Sequence, residues 1–333
     1  MNKVLTISIA AYNVEKFLFE TLSSLKCKNL DKLEVIIVND GSKDNTVNIA
    51  NSFIESYPNT FKIINKENGG YGSTINKGIE FATGKYFKQL DGDDKFDTEN
   101  LDRFIEELEK IDVDIAYTPF SFWTDDKLTP VYCGLENKTV ENDSLNDYLK
   151  DFNGNFQMHA LAFRTDLLKQ NGIKILEHCF YTDTEYVLYP FKYAKTAKFF
   201  DFPLYLYRIG LEGQSVSQTG VRKHYQDYEK VLSAILENIS GNEQNDQENI
   251  KRIIAIKVDD VFYSYIINMI KFLPYSVKNY KYIKKIDKSI KEKNPKFYTD
   301  LKKKTLKTFR KGKFFTYTLL KIIFKLRLLL LHK

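Results

Sequence analysis

The sequence predicts an α/β protein: a doubly wound, mostly parallel sheet followed by a C-terminal helical region. Three observations carry this. Through the first third, short β-branched apolar runs alternate with helical patterns, the order that builds βαβ units. The run Leu33–Val38 (LEVIIV) is almost continuously apolar, as a strand covered on both faces must be. From about Val221 onward the periodicity is helical only.

The elements follow in order. Val4–Ala10 reads as the first strand, and a helical pattern runs from Val14 to about Lys26. Leu33–Val38 is the second strand, and Thr46–Tyr57 a helix closed by Pro58. Phe61–Ile64 is a third strand. Gly69, Gly70 and Gly72 form a loop before the helix Ser73–Ala82. Tyr86–Leu90 is a fourth strand running into Asp91-Gly92-Asp93-Asp94. Asp97–Lys110 is a helix, with Asp97 or Thr98 as its N-cap. Between 113 and 220 come aromatic strands (Ile115–Trp123, Leu161–Arg164, Leu204–Arg208) and a helix near Thr182–Tyr193. Helices then span Lys223–Asn238, Asn249–Phe272 and Ser276–Lys291, with a polar linker at Gly241–Glu248 and no internal repeat.

Composition narrows the class. The chain has 333 residues, 43% hydrophobic and 28% charged, which excludes a disordered chain, a collagen and a polytopic membrane protein. Cys27, Cys133 and Cys179 are too few and too far apart for a disulfide framework. No signal-peptide pattern opens the chain, so the expectation is a reducing cytoplasm. The net charge of +6 hides an asymmetry: residues 301–333 hold 9 Lys, 2 Arg and no acid, which leaves −5 on residues 1–300. A mildly acidic body with a basic tail points to an anionic surface.

Common nucleotide motifs fail. Gly70-Tyr71-Gly72 begins like a dinucleotide fingerprint, but Ile75 stands where its last glycine belongs. Gly84-Lys85 ends like a P-loop, but Tyr86 replaces the hydroxyl residue. The four histidines (159, 178, 224, 332) are scattered, which argues against a zinc site. What stands out is where the polar clusters fall. In an open α/β sheet ligands sit beyond the carboxyl ends of the strands. Asn13 follows the first strand, Asn39-Asp40-Gly41-Ser42 the second, and Asp91-Gly92-Asp93-Asp94 the fourth. Three carboxylates within four residues repel each other and call for a cation; oxygen-only ligands favour Mg²⁺ or Mn²⁺. Read singly, each cluster also fits a solvated turn or a helix cap.

Taken in order, the clusters resemble glycosyltransferase family 2, inverting enzymes with the GT-A fold, a Rossmann-like sheet, in the bacterial surface-polysaccharide type. Ala11-Tyr12-Asn13, Val38-Asn39-Asp40-Gly41-Ser42, Asn65–Asn68 with Gly69-Gly70, Ile75-Asn76-Lys77-Gly78 and Leu90-Asp91-Gly92-Asp93-Asp94 carry the resemblance over residues 1–125, with a weaker continuation to about 220. It implies a GT-A domain over 1–220, with 1–100 binding the nucleotide-sugar and 101–220 on the acceptor side. Ala11, Tyr12, Asn13 and Asp40 would hold the uracil of a UDP-sugar. Asn76 would belong to the donor site. Asp91 would face the ribose or sugar and share a Mn²⁺ or Mg²⁺ ion with Asp93. Asp183 in Tyr181-Thr182-Asp183-Thr184-Glu185 would be the catalytic base, with Glu185 as the fallback. Arg208, Gln214 and Ser215 would close over the donor phosphates. Two positions depart from the family pattern: Thr182, where an acid is frequent, and Ile75, where an arginine is. Trp123 or Tyr117 could stack on an acceptor sugar. The implied activity moves a hexose or N-acetylhexosamine onto a saccharide or lipid-linked saccharide. The alternative is a non-catalytic nucleotide-sugar or glycan-binding module on the same fold. A nucleotidyltransferase would need a glycine-rich basic loop after the first strand, and Ala10–Glu15 has no glycine.

The last segments read as a helical region, 221–300, and a basic amphipathic tail, 301–333. Phe314–Leu331 approaches membrane-span length but contains Lys321, Lys325 and Arg327, each costing about 2.5–3.5 kcal/mol at mid-membrane. Lys313, Tyr317, Lys321 and Lys325 form a polar stripe opposite Phe315, Leu319, Ile322, Ile323, Leu326 and Leu330. That pattern predicts a helix lying in the interface of an anionic membrane, and so a peripheral protein on the inner face. No nucleic-acid motif accompanies the charge.

Overall fold

The computed structural model describes residues 3–124, 127–142, 144–210, 217–240, 247–293, 304–312 and 314–331. Gln214 and Ser215 lie outside the described residues. The chain divides into two compact units, Met1–Leu211 with Asp246–Ile253, and Glu212–Asn245 with Ile254–Lys333.

The first unit opens β1 (Leu5–Ala11), α1 (Leu18–Ser23), β2 (Leu33–Asn39), α2 (Thr46–Ser56), β3 (Phe61–Asn65), α3 (Tyr71–Phe81), β4 (Tyr86–Asp91), β5 (Lys95–Phe96) and α4 (Thr98–Lys110). It continues with β6 (Ile115–Tyr117), β7 (Phe120–Thr124), β8 (Lys127–Val131), β9 (Lys138–Val140), α5 (Leu145–Tyr148), β10 (Leu161–Arg164), α6 (Thr165–Gln170), α7 (Asp183–Phe191), β11 (Ala197–Phe199) and β12 (Tyr205–Arg208). The larger sheet has the order β3-β2-β1-β4-β10-β6-β11-β9 and the smaller β5-β12-β7-β8. β3, β2, β1 and β4 are all parallel, and β10 enters antiparallel beside β4. The α/β class with a doubly wound parallel half is therefore as the sequence predicts. Every residue of β2 is buried, as its unbroken apolar run requires. Asp97 caps α4, accepting the Asn100 amide at 2.9 Å, and the helix buries Leu101, Phe104, Ile105 and Leu108 at helical spacing.

Three differences from the sequence pattern have physical causes. The helix expected from Val14 begins only at Leu18, because the Val14 and Glu15 amides donate to Thr46 Oγ1 at the start of α2 and to Asp44 Oδ2 in the loop before it. The strand expected over Ile115–Trp123 divides into β6 and β7, which join different sheets on either side of Pro119, a residue with no N–H for a ladder. The short strands β8, β9 and β11 carry too few residues for an alternation to register.

The second unit is helical: α8 (Gln218–His224), α9 (Asp227–Ser240), α10 (Glu248–Phe272, whose first residues to Ile253 belong to the first unit), α11 (Val277–Lys293), α12 (Lys304–Lys311) and α13 (Phe314–Leu331). Its core gathers Val231, Ile235, Phe262, Ile266, Ile283, Ile290, Leu306 and Phe309, all fully buried, around a Tyr228–Tyr265 stack at 4.0 Å. Tyr317, placed in the polar stripe by its spacing, is instead fully buried against Tyr275 and Tyr280. α13 thus turns Tyr317 of that stripe inward while Lys325 stays exposed, and it leaves Phe315 (78% exposed), Leu319, Ile322, Ile323 and Leu326 uncovered. No helix among the described residues is long and apolar enough to cross a membrane.

Candidate active site at the carboxyl edge of the sheet

Strand order decides where a site can form. From β1 the chain winds outward to β2 and β3, then returns to place β4 on the other side of β1. The crevice beyond the carboxyl ends of β1 and β4 is the topological switch point. Register brings the expected residues there: Ala11 pairs with Asn39, and Ala10 with Asp91.

The loops after β1 and β2 knit together. Asn13 sits at φ +53°, a left-handed conformation that asparagine tolerates, and its Oδ1 accepts the Lys43 amide at 2.8 Å. Its own amide donates to Ser42 Oγ at 3.0 Å. Ala11 is buried and its carbonyl accepts the Asp40 amide, while Tyr12 is exposed with its ring open to solvent. Asp40 is buried, and its carboxylate organises the glycine loop: Oδ1 accepts from Lys66 Nζ at 2.5 Å and Gly69 N at 2.9 Å, and Oδ2 from Gly70 N at 2.9 Å. Three such donors fix the carboxylate in one orientation.

The acidic segment Asp91–Asp94 lies at the carboxyl end of β4. Tyr71 donates its hydroxyl to Asp91 Oδ1 at 2.6 Å. Asp94 is fully buried; its carboxylate accepts the Tyr205 hydroxyl at 2.6 Å and the Arg208 amide at 2.7 Å. The Asp93 carboxylate accepts no hydrogen bond from another residue among the described ones. Burial, with the charges of neighbouring aspartates, pushes the Asp91 and Asp94 carboxyls well above the usual range. Burial raises Asp93 as well, against the pull of Arg208. The Tyr71 and Tyr205 hydroxyls, raised by burial and then by these acids, stay protonated as donors.

Asp183 opens α7, and its charge acts on Asp91, Tyr71, Tyr207 and Glu185. It therefore lies near enough to Asp91 for the two charges to act on each other. Its position is set by residues 175–179, which lie against the start of α3. Asn76 grips that segment, donating Nδ2 to the Ile175 carbonyl at 2.8 Å and accepting the Ile175 amide at 2.8 Å. His178 N donates to Gly69 O, and His178 and Tyr181 both carry positive φ (+53° and +67°), conformations costing of order 1–3 kcal/mol each that surrounding contacts must hold. Gly72 is required for this approach: a Cβ there would meet the Leu176 carbonyl at 2.1 Å. Glu185, the fallback base, is fully buried and committed, accepting from Leu176 N at 2.8 Å and Tyr189 OH at 2.7 Å.

Arg208 also has defined partners. Nη2 donates to Glu20 at 2.6 Å, Nε to the Asp93 carbonyl at 3.1 Å, and the guanidinium lies 3.8 Å from the centre of the Trp123 ring. Lys95 sits 3.7 Å over the same ring and pairs with Glu20. Trp123 thus carries cations, and Tyr117 lies in the aromatic core with Phe156 and Phe199. Of the expected residues, Ala11, Tyr12, Asn13, Asp40, Asp91, Asp93, Asp183 and Arg208 border this edge of the sheet, and Asn76 acts on it through Ile175. Pattern reading overlooked Tyr71, Tyr205 and His159. His159, dismissed as scattered, comes together with Asp91 and Asp94, one ligand atom from each lying within 4.8 Å of the others. A tyrosine beside a glycine pair offered a faint signal for Tyr71; a lone histidine offered none.

The donor set suits a divalent cation. Among the described residues Asp93 and Asp91 retain open oxygen lone pairs in a half-buried setting that disfavours their charge. Asp91, Asp94 and His159 form the group among the described residues that could hold a metal ion, with Asp94 already engaged by Tyr205 and Arg208 and the Asp93 carboxylate next to it in sequence.

Comparison with known proteins gives one family. Residues 6–171 match the model for Glycosyl transferase family 2. The chain is 30% identical over 213 residues to the "Uncharacterized glycosyltransferase EpsJ" of Bacillus subtilis (strain 168), covering 62% of each chain. It is 29% identical over 208 residues to the "Teichoic acid poly(glycerol phosphate) polymerase" of Staphylococcus epidermidis, covering 62% of this chain and 28% of that one. The match spans less than two thirds of either relative's length. Among solved structures, S. aureus TarS 1–349 in complex with UDP-GlcNAc superposes with a TM-score of 0.68 at 18% identity, covering 97% of this chain and 91% of that one. That likeness is one of fold.

Proposed function

The chain belongs to glycosyl transferase family 2, and from that premise we propose that it is a metal-dependent inverting transferase. It moves a hexose or N-acetylhexosamine from a UDP-sugar to a saccharide or lipid-linked acceptor in surface-polysaccharide or teichoic-acid synthesis. The observation that supports this reading is one of proximity: Asp183, some 90 residues later in the chain, lies near enough to Asp91, itself close to Asp93, for the charge of one to act on the other. The names of the relatives and the UDP-GlcNAc bound in TarS support the donor class and the pathway.

The chain's residues divide the work. The loops at Ala11–Asn13 and Asp40 hold the base and ribose. Asp183 accepts the proton of the acceptor hydroxyl as its oxygen bonds to the anomeric carbon from the face opposite the leaving group. The bond from that carbon to the diphosphate oxygen breaks with its electron pair, and UDP departs. General-base help of this kind contributes about 10²–10⁴-fold. A bound Mn²⁺ or Mg²⁺ would supply Lewis-acid neutralisation of the diphosphate. Arg208, braced on Glu20 and Trp123, holds Asp93 through its main-chain carbonyl. The uncovered apolar stripe of α13 supports peripheral attachment to the inner face of a membrane.

The test is UDP release from a panel of UDP-sugars with and without Mn²⁺ or Mg²⁺. Turnover should need both donor and metal, and should collapse in Asp93→Ala and Asp183→Asn. Full turnover in Asp183→Asn refutes the base assignment. UDP binding by calorimetry with no donor turnover points to the binding-module alternative.

A further inference from the structure

We propose that the second unit carries a site for the phosphate of an anionic phospholipid headgroup, in a cavity of about 550 Å³ lined by α8, the C-terminal end of α10 and α13. This deepens the peripheral-membrane reading above and rests on it. Arg222, Lys271, Lys321 and Lys325 line the cavity, and among the described residues no carboxylate does. None of the four makes an ion pair among the described residues.

Two of the cations are locked in place. Arg222 Nε donates to the Phe272 carbonyl at 2.8 Å, and Lys321 Nζ donates to the Leu273 and Lys271 carbonyls. These bonds cap the end of α10. A helix C-terminus offers only about half a negative charge, so four cations remain largely uncompensated. Lys271 and Lys325 have no such backbone bond among the described residues. They leave donors for an anion of phosphate size and geometry.

The surroundings select the source of that phosphate. Ile322 lines the cavity and also belongs to the exposed stripe with Phe315, Leu319, Ile323 and Leu326. A cationic hollow continuous with an apolar helix face matches a molecule with an anionic head and acyl chains. A soluble phosphate ester would make no use of the stripe.

The experiment is vesicle flotation of the full chain on phosphatidylcholine alone and on phosphatidylcholine with phosphatidylglycerol. Lys271→Gln with Lys325→Gln leaves the capping bonds of α10 in place and should lower affinity for the anionic vesicles about 30-fold. Lys278→Gln with Lys281→Gln, a charge-matched pair exposed on α11, should lower it less than about 3-fold, a residue of diffuse attraction. Ile322→Ser with Leu326→Ser should weaken binding to both vesicle types. Circular dichroism should show helix content unchanged in all three. Equal losses in the two lysine pairs overturn the site and leave peripheral attachment standing. Failure of the unmodified chain to float on anionic vesicles overturns both. Glycerol phosphate binding in solution, with vesicle affinity untouched in the Lys271/Lys325 variant, overturns the lipid assignment.

Discussion

A buried carboxylate, Glu34, and a half-buried pair, Asp91 and Asp93, sit at opposite edges of the same sheet. At the amino edge, Glu34 opens β2 and accepts four hydrogen bonds: Thr6 Oγ1 at 2.5 Å, Lys62 Nζ at 2.7 Å, and the Thr83 amide and hydroxyl at 2.8 Å. Burial alone would raise its carboxyl, but the bonds from Lys62, Thr6 and Thr83 outweigh burial and hold it below its ordinary value. At the carboxyl edge, Asp91 and Asp93 together accept a single bond from another side chain, that of Tyr71, and burial raises both. One site is satisfied by the protein's own donors, and among the described residues the other is not. A fold stabilises itself with satisfied charges and binds with unsatisfied ones.

The comparison can be broken or sharpened by mutation, in descending order of effect. Asp183→Asn should cut turnover by about 10²–10⁴-fold, seen as a fall in kcat with UDP affinity retained. Gly72→Ala should be nearly as damaging without touching a reacting group. Its Cβ must displace the Leu176 carbonyl, and with it the segment leading to Asp183. A misplacement near 1 Å costs about 10²-fold, so UDP binding by calorimetry should persist while turnover falls. Glu34→Gln should destabilise the fold by about 1–3 kcal/mol, because an amide nitrogen then faces donors. Asp93→Asn should do the reverse. With chelator present it should leave stability unchanged or raise it by up to about 1 kcal/mol, since a repelling charge is removed, while abolishing metal-dependent turnover. Thermal unfolding distinguishes these last two by sign.

The pH dependence of Glu34 follows the same logic. Its folded value lies below the unfolded one, so its stabilisation is present above the unfolded carboxyl value. That stabilisation is lost as pH falls through the lowered folded value. The difference in unfolding free energy between the chain and Glu34→Gln should shrink on acidification below the ordinary glutamate range. A difference that stays constant to acid pH would remove the charge from the account.

Legibility differed between the elements. β2 and α4 were readable because burial leaves a local mark, an unbroken apolar run in one and i, i+3, i+4 spacing with an Asp cap in the other. Asp40, Asp91 and Asp93 were readable because strand ends bring sequence order close to spatial order. Asn76 was readable as important but not as a clamp on Ile175, a residue 99 positions away. His159 beside Asp91 and Asp94, and Arg208 across Glu20 and Trp123, leave no local trace, since each depends on where a distant strand is laid.

Sequence alone determined the α/β class, the acidic strand ends that the switch point gathers, and the charge asymmetry between body and tail, because all three depend on local composition and period. Only the tertiary structure decided which carboxylates are satisfied and which are left open. It also decided that α13 turns Tyr317 inward and its apolar stripe outward. An amphipathic pattern defines two faces; which of them the protein covers depends on what the rest of the chain offers to pack against.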